Sequence, residues 1–341
     1  MDSHINTISL TSNKSEILIA CSSGTLFRCM VDNFSANAVV AEGHTSPVRC
    51  ISFAPNSTLF VTGTASGELR SWDIIDYACQ AVLRVPKSGA AMSLYVIDQN
   101  YVLSGWEDGF IRCHDLATLS RQMWYVPNAH RGGVRSLSAY VGPTMKYFVS
   151  GGGDGAVRVW KLDTRELITQ HSEHSKVVSK VLADNRLPNL VHSVGADCSV
   201  LTFDLKTNAR KMGHLSTGCI TDMTQRTDSE QEIVTCDTAG RLLFWDIDYR
   251  DAVLSMQDPS RSAIKTCAVS PSGQFLAFAG DDQLLKVLEL VTGRVLSLGQ
   301  GHSSTVNALA WTTDERQIVT CGEDMCLCVW NFYLGGAAPA V

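Results

Sequence analysis

One phrase recurs along this chain at a nearly constant step: an apolar segment ending in Ser or Thr, a Gly/Asp turn, then a second apolar segment ending in Trp. The clearest copy is FVSGGGDGAVRVWK at residues 148–161, with others at 60–73, 102–115, 191–204, 233–246, 276–289 and 318–331 and a weaker one at 17–29. The place held by Trp in the best copy falls at Cys29, Trp72, His114, Trp160, Phe203, Trp245, Leu288 and Trp330, in steps of 42 to 46 residues. A fixed period of this kind marks a unit that buries its apolar face only against the next copy. Four short strands with tight turns fill such a unit, so the chain reads as all-β.

The phased copies resemble the WD40 repeat, whose unit of about 40–45 residues forms one blade of a β-propeller. The resemblance runs over residues 5–331, read as a single propeller, with 332–341 as a C-terminal tail. Eight Trp-equivalent positions predict eight four-stranded antiparallel blades, with seven as the alternative. WD propellers usually pair the two chain ends in the closing blade, yet neither MDSH before Ile5 nor the eleven residues after Trp330 reads as an outer strand. The closing blade is therefore expected to be incomplete, with the missing strand supplied by a preceding segment of a longer protein.

The resemblance also implies a hydrogen-bonded chain inside each blade, made by a leading His, the Ser/Thr, the turn Asp and the Trp. Two copies carry all four members: His130, Ser150, Asp154, Trp160 and His302, Thr320, Asp324, Trp330. Elsewhere Ser66 and Ala239 replace the Asp, and His114 and Phe203 replace the Trp. Buried polar groups need partners, so blades with a partly deleted chain are expected to be softer. The turn glycines Gly67, Gly109, Gly155 and Gly240 suit positive φ.

Composition narrows the function. Twenty-eight Lys and Arg against 34 Asp and Glu leave a formal charge of −6, which disfavours a nucleic-acid or anionic-membrane binder. No apolar run reaches the ~20 residues of a membrane helix, and MDSHINTISL lacks the basic and apolar regions of a signal peptide. The twelve cysteines include no CxxC pair and read as small buried hydrophobes in a reducing compartment, without metal. No GxSxG, GxxxxGK[ST] or HExxH motif is present, and the glycine run 151–155 joins two strands where a dinucleotide fingerprint must open a helix. His171 and His174 have metal-like proximity, but His174 is a repeat histidine. The chain is expected to be non-enzymatic and free of cofactors.

In such a ring, the loops before the first strand and between the second and third share one face. The residues just inside the first strands, Asn6, Arg49, Ser93, Arg135, Ser179, Thr221, Lys265 and Asn307, are expected to surround the channel mouth. Arg49, Arg131, Arg135 and Lys265 would make part of it basic. Trp106 stands in a turn where its sister copies carry small or polar residues. It reads either as an interface anchor, Trp and Arg being favoured at hot spots, or as a ring folded onto its own blade.

The phrases LSGWEDGFIRCHD, NAHRGGVRSLSA, FVSGGGDGAVRVWKL and GDDQLLKVLELVTGRVLSLGQGHSSTVNALAW resemble the C-terminal propeller of a cilia- and flagella-associated WD-repeat family, which contains a tandem-propeller protein of the doublet-microtubule interior. A related centriolar WD-repeat family shares much of this phrasing. The resemblance implies a scaffold in the cytoplasm and cytoskeleton, at the axoneme or basal body. It would contact tubulin or other axonemal or centriolar proteins, and a second propeller would lie upstream. The competing reading is a generic adaptor such as a ubiquitin-ligase substrate receptor. None of the sequences after Trp72, Trp160, Trp245 and Trp330 shows the Trp-Asp-x-Arg of cullin-linked receptors.

Overall fold

Every repeat opens with a short apolar strand whose first side chain is sealed: Val48, Ala91, Val134, Val178, Ile220, Ile264 and Val306 are all buried. Six of the seven are β-branched, a shape that packs well on a pleated surface. These residues begin the inner strands Val48–Phe53, Ala91–Val96, Val134–Val141, Val178–Ala183, Ile220–Gln225, Ile264–Val269 and Val306–Trp311. The computed structural model describes residues 43–333 except 56–57, 76–77, 144, 227–231, 247–248 and 250; before residue 43 it describes only the backbone of four strands.

Each inner strand starts an antiparallel sheet whose strands follow one another in chain order from the axis outwards. Six of these blades have four strands, at residues 48–84, 91–126, 134–171, 178–215, 220–257 and 264–300, and the seventh, 306–331, has three among the described residues. We number them 1 to 7. Inner strand packs against inner strand round the ring, and that of blade 7 returns to that of blade 1. There the Asn307 amide donates to the Val48 carbonyl at 2.8 Å, and Arg49 pairs with Glu323 at 2.7 Å.

The ring therefore has seven blades, and the expected eight is corrected. The N-terminal copy does form a four-stranded sheet, Ile5–Leu10, Glu16–Cys21, Thr25–Met30 and Asn33–Glu42, but its strands pair with one another. The contact of blade 7 on blade 1 leaves it no place in the circle. A period counts sheets; only the closing contact shows which of them share an axis.

The core lies between blades. Each pair of neighbours encloses one cluster, such as Leu69, Val102 and Trp106 between blades 1 and 2, or Val149, Val181 and Phe203 between 3 and 4. The cluster between blades 7 and 1 is the smallest, with Phe60, Trp72 and Val319 buried and Ile51, Leu327 and Val329 only partly covered. Small polar side chains stitch neighbouring inner strands together: the hydroxyls of Ser52, Ser138 and Thr224 accept the N–H groups of Val96, Ala183 and Val269.

Blade 7 shows the polar chain in its simplest form. Asp324 lies 2.8 Å from His302 Nδ1, Thr320 Oγ1 is 2.7 Å from Nε2, and Trp330 Nε1 donates to Thr320 at 2.8 Å. A carboxylate only accepts, so Nδ1 carries the proton, Nε2 takes the Thr hydroxyl proton, and the hydroxyl oxygen accepts from Trp. In blade 3, His130 bridges Asp154 and Ser150 at 2.9 and 2.7 Å, and Trp160 donates to Ser150 at 2.8 Å.

Where the sequence predicts deletions, other residues supply the missing parts. In blade 1 the acid moves from position 66 to Glu68, which lies 3.4 Å from His44 Nδ1 and accepts from Arg70 and Arg84. The His44 ring, joined by Arg70 and Arg84, holds the Glu68 carboxyl down at about 2 against the opposing effect of burial. In blade 5, Asp237 stands in for position 239 and binds the Arg241 guanidinium. Blade 6 carries Phe278 where the other blades have a hydroxyl and Leu288 where blades 1, 3, 5 and 7 have Trp. There the buried Lys286 ammonium reaches Asp258 and Asp282 and lies 5.7 Å from the Phe278 ring centre.

Candidate binding face

In all seven blades the pairing of the first two strands slips by one residue immediately after the buried opening residue. The residue left over is Arg49, Met92, Arg135, Ser179, Thr221, Lys265 or Asn307. A bulge of this kind bends the strand and re-aims one side chain. Here it directs one residue per blade into a cavity of about 310 Å³, which these seven line together with Val177 and Val178.

The sequence expectation is thus met at six of these positions and shifted by one at the other. Met92, not Ser93, takes the bulge in blade 2, and the Ser93 hydroxyl turns to the Val134 carbonyl of the next blade. The signal lies in the phase: the residue that follows the buried opening Ala91 is Met92. Asn6 belongs to the N-terminal sheet, outside the ring, and only its backbone is described.

Loop and turn share this face because they are bonded together in every blade. The N–H of Ala65, Glu107, Gly153, Ala196, Thr238, Asp281 and Glu323 donates to the carbonyl of Pro47, Ala90, Gly133, Val177, Cys219, Ala263 and Thr305, respectively. Gly109 shows how tightly turn and loop fit. Its φ is +82° and an added Cβ would sit 2.1 Å from the His130 carbonyl oxygen.

Charge on the face is only partly neutralised. Arg49 is tied to Glu323, and Lys265 faces Asp281 at 3.7 Å. Arg131 and Arg135 are exposed, and among the described residues no acid pairs with either side chain. Deeper in the channel Lys180 meets Asp222 at 2.9 Å, and the second Asp222 oxygen accepts from Thr266 and the Cys267 N–H.

Trp106 is not part of this surface, which corrects the interface-anchor reading. It is fully buried in the cluster between blades 1 and 2. Its Nε1 donates to Ser104 at 2.8 Å, and the Arg112 guanidinium lies 5.3 Å from its ring centre. In a blade with His114 at the usual Trp position and no leading His, Trp106 supplies the indole donor from the end of the second strand, Tyr101–Trp106. That pair of losses was the available signal.

One buried group imitates catalytic geometry. His192 lies 3.0 Å from Asp184 Oδ2 and 2.9 Å from Thr202 Oγ1, as acid, base and hydroxyl would in a nucleophilic triad. Burial would raise Asp184, but His192 and two backbone N–H groups hold its carboxyl down at about 2. All three side chains are buried, so no substrate reaches the hydroxyl and the group fastens blade 4. Among the described residues no cluster suited to a metal ion occurs, and no helix is long and apolar enough to cross a membrane.

Seven antiparallel blades around one axis, three of them (1, 3 and 7) locked by a His–Ser/Thr–Trp chain, with loops on a common face, define a WD-repeat β-propeller. The WD40 family (WD domain, G-beta repeat) matches residues 37–73, 122–161 and 293–331, each stretch beginning at or beside an outer strand and ending with the next blade's third strand. Cilia- and flagella-associated protein 52 of Sus scrofa is 23% identical over 330 residues, covering 96% of this chain and 52% of that protein. The Chlamydomonas reinhardtii protein of the same name is 25% identical over 300 residues, covering 86% and 47%. WD repeat-containing protein ATCSA-1 of Arabidopsis thaliana is 23% identical over 342 residues, covering 87% and 75%. The chain is homologous, at low identity and over most of its length, to cilia- and flagella-associated protein 52, and spans about half the length of those relatives.

Proposed function

We propose that this propeller is a non-enzymatic scaffold of cilia or flagella that holds a protein partner on the bulge-lined face, and that the partner presents acidic groups there. The observation that carries the reading is the pair of exposed cations, Arg131 and Arg135, beside a cavity whose other cations already have acids. Tubulin or a neighbouring axonemal or centriolar protein is the proposed partner, at the doublet lumen or basal body. A net charge of −6 suits discrete contacts better than attachment to the acidic tails of the outer microtubule surface, which calls for broad basic patches. The self-paired N-terminal sheet, unused by the ring, supports a second propeller upstream in the full-length protein.

The test is a pull-down from ciliated cells with the wild-type chain and with Arg131→Glu/Arg135→Glu. Both residues are exposed, so the variant is expected to fold normally while partner capture drops at least tenfold, roughly the effect of losing ~1.4 kcal/mol of binding. Undiminished capture would move the binding site elsewhere. Tagged full-length protein is expected at the axoneme or basal body, and a diffuse cytosolic distribution would defeat the ciliary assignment.

A further inference from the structure

Five of the ten cysteines among the described residues are buried. Burial pushes Cys50 and Cys113 up to about 12, and Cys321 is also raised well above its ordinary value. Cys198 and Cys219 differ. Both are partly exposed and free, and their sulfurs lie 3.9 Å apart. Cys198 closes the turn between the second and third strands of blade 4, while Cys219 immediately precedes the inner strand of blade 5, two residues before the cavity-lining Thr221.

Their main chains are held in place. Cys198 adopts φ +67°, its N–H donates to Gly195 at 3.1 Å, and its carbonyl accepts from Ser216 at 2.7 Å. The Cys219 carbonyl accepts from Thr238 at 3.0 Å. A disulfide needs its sulfurs at about 2.05 Å, about 2 Å closer than these stand.

We propose that Cys198 and Cys219 form a reversible thiol pair that a peroxide converts into a disulfide, joining blades 4 and 5 at the rim of the channel mouth. Partial burial and the neighbouring sulfur push Cys198 up, and its S–H is directed at the Cys219 sulfur. Cys219, whose sulfur accepts that S–H, is the thiol that reacts first. Its thiolate attacks one peroxide oxygen, the O–O bond breaks, and with a proton from solvent one water leaves as the S–OH forms. Cys198 then attacks that sulfur, the S–S bond forms, the S–O bond breaks, and the hydroxide leaves as a second water with the Cys198 proton. Two thiols and one hydrogen peroxide give one disulfide and two waters; the sulfurs are oxidised, the peroxide oxygens are reduced, and an external dithiol reverses the change.

The test uses the purified chain, treated with graded hydrogen peroxide, alkylated with N-ethylmaleimide and mapped by mass spectrometry. The expected product is a peptide pair linked through Cys198 and Cys219, two hydrogens lighter than the separate thiols and lost on addition of dithiothreitol. It should form at peroxide levels that do no more than oxidise the exposed Cys79 and Cys326. The linked form should melt several degrees higher than the reduced form, and this rise should vanish in both Cys198→Ser and Cys219→Ser. Persistent alkylation of both thiols under conditions that oxidise Cys79 and Cys326, or linkage to any other cysteine, would overturn the proposal. The mapping requires no partner, so it stands or falls separately from the scaffold reading.

Discussion

At the scale of single residues, the propeller tolerates losses in its polar chains because nearby positions take over the missing chemistry. Glu68, Trp106 and Lys286 each do so from outside the repeat position they replace. This explains why the deletions are legible in the sequence and the replacements are not: a hydrogen bond depends on where an atom ends up in space, and these atoms arrive from two or more residues away. His114 is the replacement that fits least well. It is buried and its Nδ1 has no hydrogen-bond partner. Burial, aided by Arg112, pushes its imidazole down to about 4. It is therefore neutral in the folded protein, whereas the unfolded chain takes up a proton near pH 6.5. Its contribution is complete above that value and is lost as pH falls from about 6.5 towards 4. From pH 7 to pH 5 the wild type should lose roughly 2 kcal/mol through this residue. His114→Leu, the residue blade 6 carries at the matching place, should remove that part of the slope in urea unfolding at the two pH values. An unchanged slope would show that His114 is not the titrating group.

At the scale of strands and sheets, the repeat announces which segments pair but conceals the register slip that matters for the face. The slip costs one residue in a strand of six, and its phase becomes readable only once Val48, Val134, Val178 and their counterparts are recognised as a buried layer. Ser93 was misplaced for that reason, while Arg49, Arg135 and Lys265 were placed by the same alignment. Blade 6 tests how a sheet survives without its hydroxyl, His and Trp. Lys286 is buried between Asp258 and Asp282; burial lowers its pKa, and the two acids more than offset that, leaving it raised. Removing one member of such a group leaves uncompensated buried charge. Lys286→Met is therefore expected to destabilise the protein by about 3–5 kcal/mol in chemical denaturation. Adding Asp258→Asn and Asp282→Asn to it should recover much of the loss. A single substitution without measurable cost would mean that the ammonium is not holding the blade.

At the scale of the whole molecule, stability should be uneven around the circle. Six interfaces enclose substantial apolar clusters, while the seventh, between blades 7 and 1, rests on three buried side chains, a fringe of partly covered ones, the Arg49–Glu323 pair and the Asn307 bond. The third strand of blade 7, Leu327–Asn331, is half-buried over most of its length, where the third strands of the other blades are largely buried. Opening free energies follow local burial. Amide hydrogens of Leu327–Asn331 should therefore exchange at least tenfold faster than those of Val157–Lys161, read by hydrogen-exchange mass spectrometry. Equal protection of the two strands would mean that the seam is as firm as the rest.

Among the described residues, no strand covers the outer edge of Leu327–Asn331. A row of main-chain donors and acceptors left open in this way can be satisfied by almost any extended peptide, because backbone pairing is indifferent to side-chain identity. The proposed binding face would select by charge and shape, whereas an uncovered edge of this kind accepts by hydrogen-bond geometry, and at high protein concentration the nearest available strand belongs to another copy of the chain.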